Sequence, residues 1–131
     1  MYRQIVNNSA VKIIILVGTR DFGRDAIASR VSAVAWPVVG KTAVERLVSN
    51  LVEQGIRDII ICSHGDSSLL AKTIEVNNLP DLELHFLDES LPVGTAGAIR
   101  DSAREIKHKL LLVLPAAMIS PPNIKSLIEA E

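Results

Sequence analysis

Aromatic side chains are scarce. Tyr2, Phe22, Trp36 and Phe86 make up 3% of the 131 residues, too few for the stacking platforms that hold single-stranded nucleic acid. The core must therefore be built from Ile, Val, Leu and Ala. A single cysteine, Cys62, excludes an intrachain disulfide and a cysteine-based zinc centre. It lies within the apolar run Asp58 to Ser63 and reads as a small core residue in a reducing compartment, so a cytoplasmic location is expected. No apolar run approaches the roughly 20 residues that span a bilayer; the longest is centred on Ile13 to Val17. Met1 to Ala10 carries no signal-peptide pattern. Charge of one sign is also missing: 14 Lys plus Arg stand against 15 Asp plus Glu, for a net charge of -1 and a pI near 6.3. That balance leaves no broad electropositive footprint for a nucleic acid or an anionic membrane, so neither is expected as a partner.

What is present describes one globular domain over residues 1–131, with 48% hydrophobic and 22% charged residues. A chain of this length buries roughly 68% of its unfolded surface and needs no covalent or metal staple. Four apolar runs recur, Lys12 to Val17, Asp58 to Cys62, Leu82 to Leu87 and Lys109 to Leu114. Each is too continuous for a strand with one wet face and suits a parallel sheet covered on both sides. Between them, Ala43, Val44, Leu47, Val48, Leu51 and Val52 place an apolar stripe on one face of a helix. Thr42 and Glu45 form a capping box at its start, and Gly55 can adopt the left-handed conformation that ends it. Further helices are predicted at Ser67 to Glu75, at about Thr95 to Lys107, and at Asn123 to Ala130 behind Pro121 and Pro122. Strands alternating with helices, without hairpin turns, predict a Rossmann-like three-layer α/β/α sandwich with a mostly parallel sheet and right-handed crossovers. Gly18 to Val39 is a long connection at the carboxyl end of the first strand, where α/β sheets bind ligands.

Several segments carry candidate chemistry. In Gly18-Thr19-Arg20-Asp21-Phe22-Gly23-Arg24, backbone amides and two arginines could face a phosphate, or the glycines could simply turn the chain. Gly40-Lys41-Thr42 resembles the end of a P-loop, but that motif requires glycine at position 35, which is Ala; Lys41 and Thr42 instead begin the capped helix. The small residues of Val93-Gly94-Thr95-Ala96-Gly97-Ala98 permit close approach of a ligand to a helix start, or tight packing of that helix on the sheet. His64, His85 and His108 have no ligand spacing and read as surface or strand-end residues, so no metal site is expected. Metal-assisted phosphoryl or nucleotidyl transfer needs carboxylates near a strand end. The fourth strand ends Leu114-Pro115-Ala116-Ala117-Met118 without one, which leaves Asp88 and Glu89 after the third.

Taken together, residues 11–131 resemble the amino-terminal half of the sugar-phosphate nucleotidylyltransferases, enzymes that join an NTP to a sugar 1-phosphate and release pyrophosphate. Pro37-Val38-Val39-Gly40-Lys41 is similar to that family's L-P-V-x-G-K-P segment, and Glu53 to Ile61 to its G-I-x-x-I-x-I-V strand. Gly94-Thr95-Ala96-Gly97-Ala98 matches its G-T-A-G-A, and Leu111 to Ile128 resembles the strand F-L-V-L-N-G-D with the helix that follows. The resemblance implies nucleotide binding by Gly18, Thr19, Arg20, Glu89, Gly94 and Thr95, with a nucleoside triphosphate and a sugar phosphate as partners and Mg²⁺ as cofactor if the domain is active. It also implies departures. The first loop reads G-x-G-T-R in the family, whereas gapless alignment places Thr19, Asp21, Phe22 and Gly23 there; sliding it saves Gly18-Thr19-Arg20. The family's phosphate-binding lysine falls on Ala33 and its magnesium aspartate on Ala117.

One lost electrostatic donor typically costs about 10² to 10³ in rate, so the first expectation is a nucleotide-binding half-domain, truncated before the acceptor half and impaired in catalysis. The alternative is a non-catalytic regulatory or assembly module, acting as a homo- or hetero-oligomer with an active relative. An exposed apolar patch would favour it. A third reading, an active enzyme with a rearranged site, would use Arg20, Arg24 and Asp88.

Overall fold

The computed structural model describes residues 11–17, 35–63, 67–74, 81–88, 94–103, 110–118 and 120–130. The apolar runs form four parallel strands: β1 (Val11–Leu16), β4 (Asp58–Ser63), β5 (Glu83–Asp88) and β6 (Leu110–Pro115). They lie in the order β5-β4-β1-β6. Ile14 of β1 stands between Ile60 and Val113, and this register holds along the whole pairing. Because Ile13, Ile14 and Ile15 are all fully buried, β1 is covered on both faces, as its continuous apolar sequence requires.

The helices divide between the two faces. Helices α1 (Ala43–Glu53), α2 (Ser67–Thr73) and α4 (Ile124–Ala130) cover one face, where Val44, Leu47, Val48, Leu51, Leu70 and Ile124 pack on Ile13, Ile15, Ile59 and Ile61. Helix α3 (Gly94–Ser102) covers the other, with Ala98 against Ile14 and Cys62. The result is the α/β/α sandwich read from the sequence. Cys62 is a buried core residue, as expected.

Helix α1 is stabilised at both ends by the residues that announced it. The Glu45 amide donates to Thr42 Oγ1 at 3.2 Å. At the other end Gly55 has φ +88°, its N–H donates to the Val52 carbonyl, and Ile56 N–H reaches back to Leu51. This is a Schellman motif, and its hydrophobic partners Ile56 and Leu51 are fully buried. Full burial of each Val or Leu on this helix is worth about 1.5–3 kcal/mol.

The structure differs from expectation in three places. Instead of hairpin-free connections, the chain forms a small antiparallel hairpin, β2 (Pro37–Val38) with β3 (Lys41–Thr42). Its two-residue turn, Val39-Gly40, has positive φ at both positions, as a type I′ turn requires. Valine rarely adopts that conformation, so the sequence gives no hairpin signal there. Arg46 of α1 supplies the missing restraint, donating from Nε and Nη2 to the Val38 and Val39 carbonyls at 2.6–3.0 Å. Secondly, β5 is not covered on both faces: Glu83, His85 and Asp88 are exposed, as suits an edge strand guarded by polar side chains. Thirdly, strand and helix limits shift by one or two residues. Helix α3 begins at Gly94 rather than Thr95, and α2 ends at Thr73 rather than Glu75; residues 75 and 104–107 of the predicted helices lie outside the described residues.

Candidate functional site

After β1, the chain adds β4 and then β5 on one side of the sheet, and next crosses to place β6 on the other. The strand order therefore reverses at β1, and the crevice beyond the carboxyl ends of β1 and β6 is the topological switch point where such sheets bind ligands. Past the strand ends the ladder continues: Val17 N–H donates to the Cys62 carbonyl and Ala116 N–H to the Leu16 carbonyl, both at 2.9 Å. These bonds extend the sheet pairing past the strand ends at this edge.

Gly94 and Thr95 form the first turn of α3, which follows β5; the first amides of a helix and its dipole favour an anion. Three residues on, Ala98 is buried against Ile14 and Cys62. The small-residue segment thus provides the close helix–sheet packing that was one of its two expected roles. Ala117 occupies an exposed turn directly after β6. Gly18, Thr19, Arg20, Arg24, Ala33 and Glu89 lie outside the described residues.

Among the described residues at strand carboxyl ends, Asp88 alone is a carboxylate. Its Oδ1 accepts from Ser63 Oγ at 2.5 Å and from the Ser67 amide at 3.2 Å, and its Oδ2 accepts from Ser67 Oγ. Through this one carboxylate, Asp88 ties β4, β5 and the start of α2 together. With Ala117 at the position implied for the magnesium aspartate, the described carboxyl edge does not present the donor set that the metal needs.

A group with metal-ligand chemistry lies at the opposite edge. Asp58, Glu83 and His85 bring their ligand atoms within 4.8 Å of one another, because Asp58 pairs with Glu83 in register and His85 follows two residues along β5 on the same face. Sequence spacing could not show this, since register alone joins residues from different strands. Lys12 Nζ already stands 3.9 Å from Asp58 Oδ1. The group is remote from the crevice and is not placed to act on a ligand there.

Comparison with known proteins agrees with the fold. Residues 25–130 match the nucleotidyl transferase family. The chain belongs to that family. Its fold is similar to the crystal structure of HddC from Yersinia pseudotuberculosis, at 21% identity and a TM-score of 0.74. It is equally similar to HddC complexed with GMP-PN, with a TM-score of 0.73. In both cases the match covers 91% of this chain and 53% of that one, so the chain spans about half the length of these structures. No curated protein matches the chain. Among the described residues of this nucleotidyl transferase-like domain, no helix is long and apolar enough to cross a membrane.

Proposed function

We propose that the domain binds a nucleoside triphosphate in the crevice beyond β1 and β6, with Gly18, Thr19 and Arg20 about the phosphates and Glu89, Gly94 and Thr95 about the base, and that transfer to a sugar 1-phosphate is impaired. The observation that carries this reading is the exposed Ala117, at the end of the strand where the family resemblance implies the magnesium carboxylate. Ala33 replaces the implied phosphate-binding lysine in the same way. A metal carboxylate and a cationic clamp stabilise charge that develops in the transition state, whereas backbone amides at a helix start also bind the ground state. Removing the first pair suppresses turnover more than binding.

The GMP-PN complex of HddC makes a guanine nucleotide the first to test. The purified chain is incubated with GTP, Mg²⁺ and a panel of sugar 1-phosphates. GTP is expected to bind and be recovered intact; metal-dependent release of pyrophosphate would overturn the proposed impairment.

A second reading, the regulatory or assembly module, starts from a separate observation. Val11, Leu110, Leu112, Ile124, Leu127 and Ile128 line an apolar recess of about 80 Å³ between β6 and α4, and Leu127 is 44% exposed beside it. Under this reading the chain associates with itself or with a full-length relative. Sedimentation as a monomer, with and without that relative, would count against it.

A further inference from the structure

The two edges of the sheet differ in chemistry. At one edge β5 exposes Glu83, His85 and Asp88, the polar guard that keeps an edge strand from pairing with another chain. At the other edge stands β6, which reads Leu-Leu-Leu-Val-Leu-Pro and carries no charge. Leu110 to Val113 are only half-buried, whereas Ile13 to Ile15 of the neighbouring β1 are fully buried. On one face this bare edge continues into the apolar recess beneath α4, beside which Leu127 is exposed. The ladder fixes which backbone groups point outward. Ala116 N–H donates to the Leu16 carbonyl, and alternate residues of a parallel strand face the same neighbour, so Leu112 and Leu114 turn N–H and C=O toward β1. Leu111 and Val113 turn theirs away from it, and no strand among the described residues pairs with them.

We infer that the outer edge of β6 pairs antiparallel with β6 of a second copy of this chain, across a two-fold axis at Leu112. The inference rests on the assembly reading above, names its partner and surface, and is independent of nucleotide binding. A two-fold axis there sets Leu111 opposite Val113 of the partner subunit, so the outward-facing residues exchange both N–H···O=C bonds. Leu110 falls opposite Leu114 of the partner subunit, and every cross-strand pair is apolar, with no like charges opposed. The axis stands perpendicular to the sheet, so both copies of α4 lie on one face and cover the two recesses together. Pairing β6 with the β5 edge of another copy would instead set leucines against Glu83 and His85 and leave further edges free, so the chemistry selects a closed two-fold dimer. One strand and one short helix per copy supply fewer than the roughly 20–30 residues a side of a standard interface, so the dimer is reversible.

The test is sedimentation of the whole chain from micromolar to near-millimolar concentration, with amide hydrogen exchange read at both ends of the series. Dimers should form as concentration rises, and the Leu111 and Val113 amides should become protected with them, while Leu112 and Leu114 stay protected throughout. Val113→Pro deletes an outward N–H without costing a bond to β1, and it should weaken dimerisation about tenfold or more, because symmetry removes the bond twice. Leu127→Lys, at an exposed position beside the recess, should weaken it as well and keeps the test in place if Val113→Pro does not fold. A chain that remains monomeric at every concentration would overturn the inference together with self-association, even if it captured a longer relative. A dimer in which Leu111 and Val113 exchange freely, or one that neither substitution weakens, would overturn the β6 pairing alone and leave assembly to another surface.

Discussion

Val39 is 91% exposed and sits at φ +53°, a conformation a β-branched residue adopts only under restraint. The Arg46 guanidinium bonding to the Val38 and Val39 carbonyls is that restraint. Asparagine tolerates this region, and Asn-Gly is the preferred pair for a type I′ turn. Val39→Asn should therefore stabilise the domain by about 1 kcal/mol, seen as a rise of roughly 3 °C in the thermal midpoint. An unchanged or lowered midpoint would show that the hairpin is not strained at this residue. At Ala117 the expected change is functional. Ala117→Asp places a carboxylate in the exposed turn after β6, and GTP affinity should become Mg²⁺-dependent; a titration insensitive to Mg²⁺ would mean that this turn does not face the phosphates. These two residues also mark what single positions disclose. The absence of a carboxylate at 117 is legible from sequence order alone, whereas the backbone conformation of Val39 is imposed by an arginine seven positions away and leaves no local trace.

Helix α1 was legible because its signals are local. Thr42, Glu45, the apolar stripe and Gly55 all lie within about one helix length, and each acts on its neighbours in the chain. Gly55→Ala should cost about 1 kcal/mol or more, since alanine at φ +88° is strained, and Thr42→Ala about 1 kcal/mol through loss of the cap; urea denaturation measures both. The tie between α1 and α4 was not legible, because it joins residues about 70 positions apart. Gln54 Oε1 accepts from the Ile124 amide at 2.8 Å, and its Nε2 donates to the Pro122 carbonyl at 3.2 Å, so one side chain both satisfies the start of α4 and anchors its approach. Asn123 Oδ1 adds a cap by accepting from the Ser126 amide. Gln54→Ala should fray α4 while leaving α1 intact, read as faster amide exchange at Leu127 and Ile128 with little change along α1. Equal exchange at α4 in the two proteins would show that Asn123 and the burial of Ile124 suffice. The Asp58, Glu83 and His85 group and the Asp88 attachments escaped sequence reading for the same reason: strand register and a crossover bring their members together.

For the whole molecule, the fold follows from a few apolar runs that can only be buried between two layers of helices. Ile13, Ile14 and Ile15 are fully buried at the centre of the sheet, and their neighbours in β4 and β6 are apolar as well, so the parallel arrangement is written in the composition of the strands. The strand order, and with it the crevice at the switch point, comes from the crossovers. That switch point, with the bare turn at Ala117 directly after β6, is the basis for reading the domain as a nucleotide binder without efficient transfer chemistry. The most direct measurement is a calorimetric titration of the chain with GTP, in the presence and absence of Mg²⁺. The account predicts saturable binding with a Kd that Mg²⁺ leaves unchanged. No binding at millimolar GTP, or binding that appears only with Mg²⁺, would contradict it.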